Sequence, residues 1–385
     1  MFENLKGINV GLVHDWLPTL GGAEKVVQQL VETFPNHELY TLFNFLNEED
    51  LAFINAKKIN VSSLNSLPFV EKYYRNLLLM CTRKIEQFDV SKHDIVISSS
   101  AALSKGVITS VDQHHFCYMH SPARYAWDLS HQYLEDINGK LVGLKRLIAR
   151  ELIYRYRFWD VRTTNTIDHI IANSEFIKKR IYKIYRRNAE VIYPPVNIDK
   201  FCSQSGSRDE YYVTASRLVP YKKIDLIVKA FSKNKQRKLI VIGDGPELSN
   251  LKSIATNNVE FIGYQTLDNM VQLIQNAKAF VFAAFEDFGI VPVEAQACGT
   301  PVICFGKGGT AETVKNLGDS KPTGVHFYRQ HEDDIDIALD IFEKNMDTFT
   351  VENCRENAEF FSQARFQDDI QTFVQARIKD GLNGR

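Results

Sequence analysis

Long hydrophobic runs are absent from this sequence. No apolar stretch of the 385-residue chain approaches the roughly 20 residues that a bilayer-spanning helix needs. The N-terminal stretch MFENLKGINVGLVHDW has no long apolar segment with a small-residue cleavage site, so no secretory signal is predicted. The six cysteines are scattered without CxxC spacing, which favours reduced, mainly buried thiols. Together these absences predict a cytoplasmic protein.

Several catalytic and metal-binding motifs are also missing. The chain contains no GxSxG elbow, no GxxxxGKS/T loop and no HExxH helix. Asp334 and Asp336 form a DxD, but the surrounding HEDDIDIALDIF is typical of the acidic first turn of an amphipathic helix. We therefore predict neither a metal site nor a cofactor.

Net charge of either sign is almost absent. The formal charge is −1, so no polyanionic partner such as a nucleic acid is required. Residues 140–187 are the exception, with thirteen Lys or Arg against four acidic residues and aromatic side chains between the arginines. A solvated helix whose long basic stems cover apolar surface would explain this composition. The alternative is a basic face toward anionic lipid or a polyphosphate substrate, and residues 68–88 are predicted to form a second basic-aromatic helix.

Length and hydrophobic pattern predict two α/β domains. Short apolar runs alternate with longer helical patterns, which is typical of a parallel sheet wrapped by helices. Pro194-Pro195 interrupts this pattern and predicts a linker, after which the pattern restarts. The predicted strands are 8–13, 94–99, 115–120 and 169–174 before the linker, and 211–216, 238–245, 259–264, 279–284 and 301–305 after it. The last segment places Phe366, Ile370 and Val374 on one helical stripe, and a return to the first domain is one place for it to dock.

The stretch EDFGIVPVEAQACG holds two glutamates, Glu286 and Glu294, around a predicted helix start. Because Pro292 suits a first helical turn, we expect the helix to begin near Gly289 and Glu294 to lie in its first turn. Free backbone N–H groups before such a helix can bind an anion or sugar hydroxyls. An ordinary helix start with one solvated glutamate is the alternative.

Three other segments follow predicted strands, where ligands of α/β sheets bind. In ASRLVPYKK, Arg217 and Lys222 could clamp a diphosphate, although surface lysines and a helix-capping arginine would give the same pattern. Gly21-Gly22 before the first helix would allow a phosphate to approach the backbone closely, or would simply form a turn. His120 ends a strand in YMHSPARYAWD, where a structural histidine is the alternative to a functional one.

Three of these motifs and the stretch GDGPE at 243–247 follow one another along the chain, in the order Gly21-Gly22-Ala23-Glu24, Arg217-x4-Lys222, GDGPE and Glu286-x7-Glu294. In order and spacing they resemble the retaining glycosyltransferases of family 4, which have the GT-B architecture, across nearly the whole chain. The stretch YMHSPARYAWD is also similar to that of bacterial O-antigen and capsule mannosyltransferases.

The resemblance implies two doubly wound, Rossmann-like domains that face a cleft. Residues 1–194 would form an acceptor-side domain, residues 195–364 would bind the nucleotide-sugar donor, and the helix over 365–385 would pack back on the first domain. It also implies a reaction with retention that needs no divalent metal.

The resemblance further implies a role for each matched position. Arg217 and Lys222 would neutralise the departing diphosphate, Glu286 would hold the donor sugar, and Glu294 would bind the ribose. His120 would touch the sugar near the anomeric carbon. The remaining implied donor contacts are Gly21, Gly22, Gly245 and the backbone of Phe288, Gly289, Ile290 and Val291.

The function expected from these observations is transfer of a hexose, mannose from GDP-mannose, to a lipid-linked oligosaccharide in O-antigen or capsule synthesis. The basic-aromatic helices would then rest on the inner face of the cell membrane. Alternatives are a UDP-sugar-dependent transferase of the same fold, a sugar-nucleotide epimerase, a phosphorylase carrying pyridoxal phosphate, and a lipid- or glycan-binding module without catalysis.

Overall fold

The computed structural model describes residues 7–135, 137, 142–201 and 208–383, the side chains of 380–383 excepted. The chain divides into two compact units. The first runs to Tyr193 and resumes at Phe366, and the second is Pro194–Arg365.

A seven-stranded parallel sheet forms the centre of the first unit. Its strands are β1 (Val10–His14), β2 (His37–Thr41), β3 (Ile59–Val61), β4 (Ile95–Ser100), β5 (His114–Met119), β6 (His169–Ala172) and β7 (Glu190–Val191). Their order across the sheet is β3-β2-β1-β4-β5-β6-β7. The helices described before Tyr193 are α1 (Gly22–Thr33), α2 (Glu48–Ile54), α3 (Leu78–Ile85), α4 (Ser130–Glu135), α5 (Val142–Thr164) and α6 (Glu175–Tyr185). Every residue of β1 and β4 is buried, which explains their apolar runs.

A six-stranded parallel sheet forms the centre of the second unit. Its strands are β8 (Tyr211–Ala215), β9 (Lys238–Ile242), β10 (Val259–Gly263), β11 (Phe280–Phe282), β12 (Val302–Phe305) and β13 (Gly324–Phe327), in the order β10-β9-β8-β11-β12-β13. Its helices are α7 (Ile224–Lys233), α8 (Leu248–Ile254), α9 (Leu267–Asn276), α10 (Ile290–Ala297), α11 (Thr310–Thr313), α12 (Glu332–Lys344) and α13 (Val351–Glu359). The predicted parallel α/β class is therefore confirmed in both units.

The last helix, α14 (Gln363–Asn383), packs on the first unit. Phe366, Ile370 and Val374 are buried in the same apolar cluster as residues of β1 and α1. The ring of Phe366 meets the ring of Tyr118 on β5 edge to face, with centroids 5.7 Å apart. The stripe read from the sequence is thus the face that docks, and the expected return to the first unit is observed.

Residues 68–88 do not form one helix, contrary to the prediction. Two short 3₁₀ turns, Val70–Lys72 and Tyr74–Leu77, precede α3, which is the only α-helical part of this segment. The break has a backbone cause, because Phe69 has a φ of 56° and Tyr73 has a φ of −139°, both outside the helical region. Tyr74 is buried among aromatic rings, so tertiary packing outweighs the helical pattern here.

The basic segment 140–187 is also discontinuous. It contains α5 and α6 with strand β6 between them, and residues 140 and 141 lie outside the described part of the chain. In the described residues no helix is both long enough and apolar enough to cross a membrane.

Candidate active site

Both sheets reverse their strand order at one place. In the first unit β1 lies beside β4, and in the second unit β8 lies beside β11. The strands that follow β1 or β8 directly in sequence lie on one side of it, and the later strands lie on the other side. Loops leaving such neighbouring strands diverge and open a crevice at their carboxyl ends, where α/β proteins bind ligands. The predicted site residues follow strands at these two points, or at the strand next to them.

In the second unit, Lys222 and Glu286 meet at this point. Lys222 ends the short turn after β8, and Glu286 lies in the loop after β11. The Lys222 ammonium group forms an ion pair with a carboxylate oxygen of Glu286, and both side chains are largely shielded from solvent. The Lys222 Nζ also lies 5.8 Å from the ring centre of Phe282, on β11 itself. Two residues 64 positions apart in sequence are thus neighbours at the switch point.

Arg217 lies in the same loop as Lys222, directly after β8, and is exposed. Within the described residues its guanidinium group has no hydrogen-bond or ion-pair partner, whereas Arg237 and Arg329 of the same unit pair with carboxylates. Arg217 therefore keeps its hydrogen-bond donors available for a ligand.

Gly245 brings the loop after β9 onto the loop after β8. A Cβ atom at Gly245 would lie 2.4 Å from the backbone oxygen of Leu218, which is too close for any side chain. The Leu218 N–H donates to the backbone oxygen of Asp244 at 2.9 Å. Gly245 thus supports the backbone that carries Arg217 and Lys222.

Helix α10 begins at the predicted place. Gly289 precedes it with a φ of 90°, a left-handed conformation that glycine adopts readily, and Ile290 is its first residue. The N–H groups of this first turn have no intrahelical acceptors and carry the positive end of the helix dipole. Phe288 is buried beneath the turn, while Ile290 and Val291 are half-buried.

The position of Glu294 differs from the prediction. It is the fifth residue of α10 and so lies in the second turn, not the first. The reason is that the helix already begins at Ile290, so four helical residues precede Glu294, and Pro292 occupies the third position. Glu294 is buried, so it lies on the inward-facing side of α10 and not at its exposed N-terminus.

A glycine-rich loop after β12 was not singled out by sequence reasoning. Gly308 and Gly309 press against the segment that holds Glu286. Added Cβ atoms would lie 2.4 Å from the Glu286 backbone oxygen and 2.2 Å from the Phe288 Cα, respectively. The Gly309 N–H also donates to the Glu286 backbone oxygen at 2.8 Å. Three glycines in four residues, GKGG at 306–309, directly after an apolar run were the available signal.

The DxD aspartates are engaged elsewhere. Asp334 and Asp336 lie on α12, as the sequence pattern predicted. Asp334 accepts two hydrogen bonds of 2.8 Å from Arg329, and Asp336 accepts one of 2.6 Å from Arg237. Their negative charges are therefore compensated within the protein.

In the first unit, Gly21 and Gly22 lead into helix α1. Gly21 is the residue before the helix, and its N–H donates to Glu24 at 2.9 Å, so Glu24 closes the first turn by binding back to the cap. Gly22 is exposed and is the first helical residue. Both glycines follow β1 by a short loop, at the switch point of this sheet.

Asp15, directly after β1, was also overlooked. Its carboxylate accepts hydrogen bonds from the backbone N–H groups of Ala101, Ala102, Leu103 and Ser104, at 2.5 to 2.9 Å. Asp15 is buried and ties the loop after β4 to the end of β1. It therefore holds the two strand ends of the switch point together.

His120 follows β5 and is half-buried. Its Nε2 lies 2.8 Å from the Ser99 hydroxyl, and Ser99 Oγ lies 3.2 Å from Nδ1 of the buried His14. Burial lowers the pKa of His120 to about 4, and the positive charge of the neighbouring His14 acts in the same direction. His120 is therefore neutral at physiological pH. In the described structure, the residues predicted as site components fall into two groups, one per unit.

Comparison with known proteins is consistent with this geometry. Residues 197–360 match the family model described as "Glycosyl transferases group 1". "Alpha-1,3/1,6-mannosyltransferase ALG2" of Kluyveromyces lactis is 25% identical to the chain over 355 residues, covering 76% of this chain and 67% of that protein.

Over a shorter span the identity to a second relative is higher. A "GDP-mannose-dependent monoacylated alpha-(1-6)-phosphatidylinositol monomannoside mannosyltransferase" of Corynebacterium glutamicum is 37% identical over 114 residues, covering 26% of this chain and 30% of that protein. Among solved structures, Anabaena Alr3699/HepE in complex with UDP aligns with a TM-score of 0.69 at 15% sequence identity. The alignment covers 96% of this chain and 100% of that chain. That likeness shows the fold, and the GT-B class is confirmed.

Proposed function

We propose that the protein is a retaining glycosyltransferase that moves mannose from GDP-mannose to a lipid-linked oligosaccharide in surface polysaccharide synthesis. The observation that carries this proposal is the contact between Lys222 and Glu286 at the β8/β11 switch point, inside the segment that matches the group 1 family. Mannose is supported by both mannosyltransferase relatives, and GDP by the Corynebacterium glutamicum relative alone.

In this proposal the second unit holds the donor. Lys222 and Arg217 bind the diphosphate and stabilise its negative charge as the glycosidic bond to the sugar breaks. Glu286 accepts hydrogen bonds from sugar hydroxyls while it orients Lys222. Glu294 binds the ribose hydroxyls, and the N–H groups at the start of α10 face the sugar and phosphate.

We propose that no divalent metal takes part. Two cationic side chains, Arg217 and Lys222, and the positive end of α10 supply the charge that a metal would otherwise provide. The first unit is assigned to the acceptor, although its residues Gly21, Gly22 and His120 are proposed to contact the donor.

A thermal-shift screen with GDP, UDP, ADP and their sugars tests the donor assignment. A ligand that binds only the folded state raises the unfolding midpoint. At a ligand concentration a hundred times Kd, the free energy of unfolding increases by about 2.7 kcal/mol. We expect the largest shift from GDP and GDP-mannose. A larger shift from UDP-sugars would favour the UDP-dependent alternative, and consumption of the sugar nucleotide without acceptor would favour an epimerase. No shift from any nucleotide would contradict the transferase.

We also propose that the first unit rests on anionic lipid through helix α5. Six apolar side chains are exposed along this helix, at the i, i+3, i+4 spacing of a single face: Leu144, Leu147, Ile148, Tyr154, Phe158 and Val161. The residues of α5 that face the core are others, among them Ile153 and Tyr156. Exposed Lys145 and Arg150 add positive charge, which suits a negatively charged membrane surface.

Vesicle sedimentation tests this surface. Leu147 and Phe158 are each 63% exposed, and the double substitution Leu147→Glu/Phe158→Glu is expected to weaken binding to phosphatidylglycerol-containing vesicles at least about tenfold, because two apolar anchors are lost. Tyr264 in the second unit is 84% exposed, so Tyr264→Glu is a matched control that should bind like the wild type. Unchanged binding of the α5 variant would contradict the proposal.

A further inference from the structure

A chain of polar contacts crosses the switch point of the first unit and ends at His120. It connects Glu24 on α1, His14 at the end of β1, Ser99 on β4 and His120 after β5. The proposed function assigns a role only to His120. The other three residues are buried, and His14 and Ser99 are almost completely so.

The position of the proton on His14 follows from its neighbours. Nδ1 of His14 lies 3.0 Å from the backbone oxygen of Ser99, which can only accept a hydrogen bond, so Nδ1 carries a proton. Its Nε2 lies 3.7 Å from a carboxylate oxygen of Glu24, a distance for an ion pair rather than a hydrogen bond. Burial opposes a charge on His14, but the interaction with Glu24 outweighs it and raises the pKa of His14.

The direction of the next hydrogen bond follows from this proton. The hydroxyl oxygen of Ser99 is 3.2 Å from the protonated Nδ1 of His14, where it can only accept. Its own hydrogen is then available for Nε2 of His120, 2.8 Å away. A nitrogen that accepts this hydrogen bond carries no proton, so the neutral ring of His120 carries its single proton on Nδ1.

The Nδ1 side of His120 has no hydrogen-bond partner among the residues that the structure describes. The ring is held from the other side by Tyr118, whose ring centre is 5.3 Å away in an edge-to-face arrangement. The imidazole is therefore fixed by its Nε2 and by packing, and a donor is left available.

We propose that Glu24, His14 and Ser99 are positioning residues that hold His120 as a neutral imidazole protonated on Nδ1. In this state His120 donates a hydrogen bond to an oxygen of the substrate and does not remove a proton from it. The substrate oxygen, a sugar hydroxyl, rests on the proposed function. The protonation state of His120 does not rest on the proposed function, so the protonation state and the proposed function can fail separately.

Nitrogen-15 NMR of the full-length protein at pH 7 tests the protonation state without any activity. We expect the His120 signals, assigned by their loss in His120→Asn, to show a protonated Nδ1 and an unprotonated Nε2. Ser99→Ala should shift His120 toward a mixture of both forms. Ser98→Ala is the matched control, because Ser98 neighbours Ser99 in β4 but contacts His115 Nε2 at 2.8 Å instead. A protonated Nε2 in the wild type, or no change in Ser99→Ala, would overturn the proposal.

Transfer assays test the donor role. The amide nitrogen of asparagine reaches about as far as Nδ1, and that of glutamine about as far as Nε2. We therefore expect His120→Asn to keep kcat/KM within about tenfold of the wild type and His120→Gln to lose about a hundredfold. Ser99→Ala should lose only roughly two- to fivefold, since a fraction of His120 stays in the competent form. Equal losses in the asparagine and glutamine variants would refute the donor role even if the NMR result stands.

Discussion

Lys222→Ala is expected to lower kcat about a hundredfold or more while the protein stays folded. The lysine supplies a positive charge where the leaving diphosphate develops negative charge, and removal of one such stabilising group typically costs about 10²–10³ in rate. Single-turnover transfer from GDP-mannose measures the loss directly. Arg217→Ala is expected to act in the same direction, because its guanidinium group is uncommitted in the described structure.

The control for Lys222 is Lys229→Ala. Lys229 is a lysine of the same unit that also forms an ion pair, with Asp225 at 3.2 Å, but it lies on the exposed side of α7. This variant should turn over like the wild type, because exposed ion pairs contribute little. If Lys222→Ala kept kcat within threefold of the wild type, Lys222 would be a structural partner of Glu286 and the donor assignment would be wrong.

Much of the fold could be predicted because a strand that is buried on both faces consists mainly of apolar residues, which are visible in the sequence as a short apolar run. The predicted strands from INVGLV to PVICF coincide with strands of the two sheets. Strands β2, β3, β7 and β13 were missed because HELYT, INV, EV and GVHF are short and carry polar residues. Glu38 in β2 forms ion pairs with Lys58 and Lys92, partners that no local pattern reveals.

The candidate site was predictable in part for the same reason. Arg217, Glu286 and His120 stand directly after apolar runs, and the carboxyl ends of parallel strands are where ligands bind. His14 ends β1 and Asp15 follows it, yet their contacts are with the end of β4 and the loop after it, more than 80 residues away. A residue whose partners are distant in sequence gives no local signal, so these positions required the structure.

Lys105 is the clearest example of a residue whose environment the sequence conceals. In SKGV it resembles a loop lysine, but its side chain is 2% exposed and its Nζ donates to Asp160 Oδ1 at 2.7 Å. Asp160, which is fully buried on α5, also accepts from Trp127, Tyr156 and Tyr185, at 2.7 to 3.1 Å. Both oxygens of this carboxylate are thus hydrogen-bonded, and the network joins α5 and α6 to the loop after β4.

Lys105→Met is therefore expected to lower the free energy of unfolding by about 3–5 kcal/mol, because it leaves the Asp160 carboxylate buried without a cation. Urea denaturation, followed by tryptophan fluorescence, measures this loss. Lys92→Met is the matched control, since Lys92 is a lysine of the same unit whose ion pair with Glu38 is at the surface, and its midpoint should not change.

The double variant Lys105→Met/Asp160→Asn separates a lost charge pair from lost packing. Asparagine keeps an oxygen to accept hydrogen bonds from the tyrosine and tryptophan side chains but carries no charge. If the unpaired carboxylate causes the destabilisation, the double variant is more stable than Lys105→Met alone, because no buried charge remains. If the double variant is no more stable than the single one, the unpaired carboxylate is not the cause, and the loss comes instead from the missing packing of the lysine between Trp159 and Tyr185, over whose rings its Nζ lies at 5.2 and 5.5 Å.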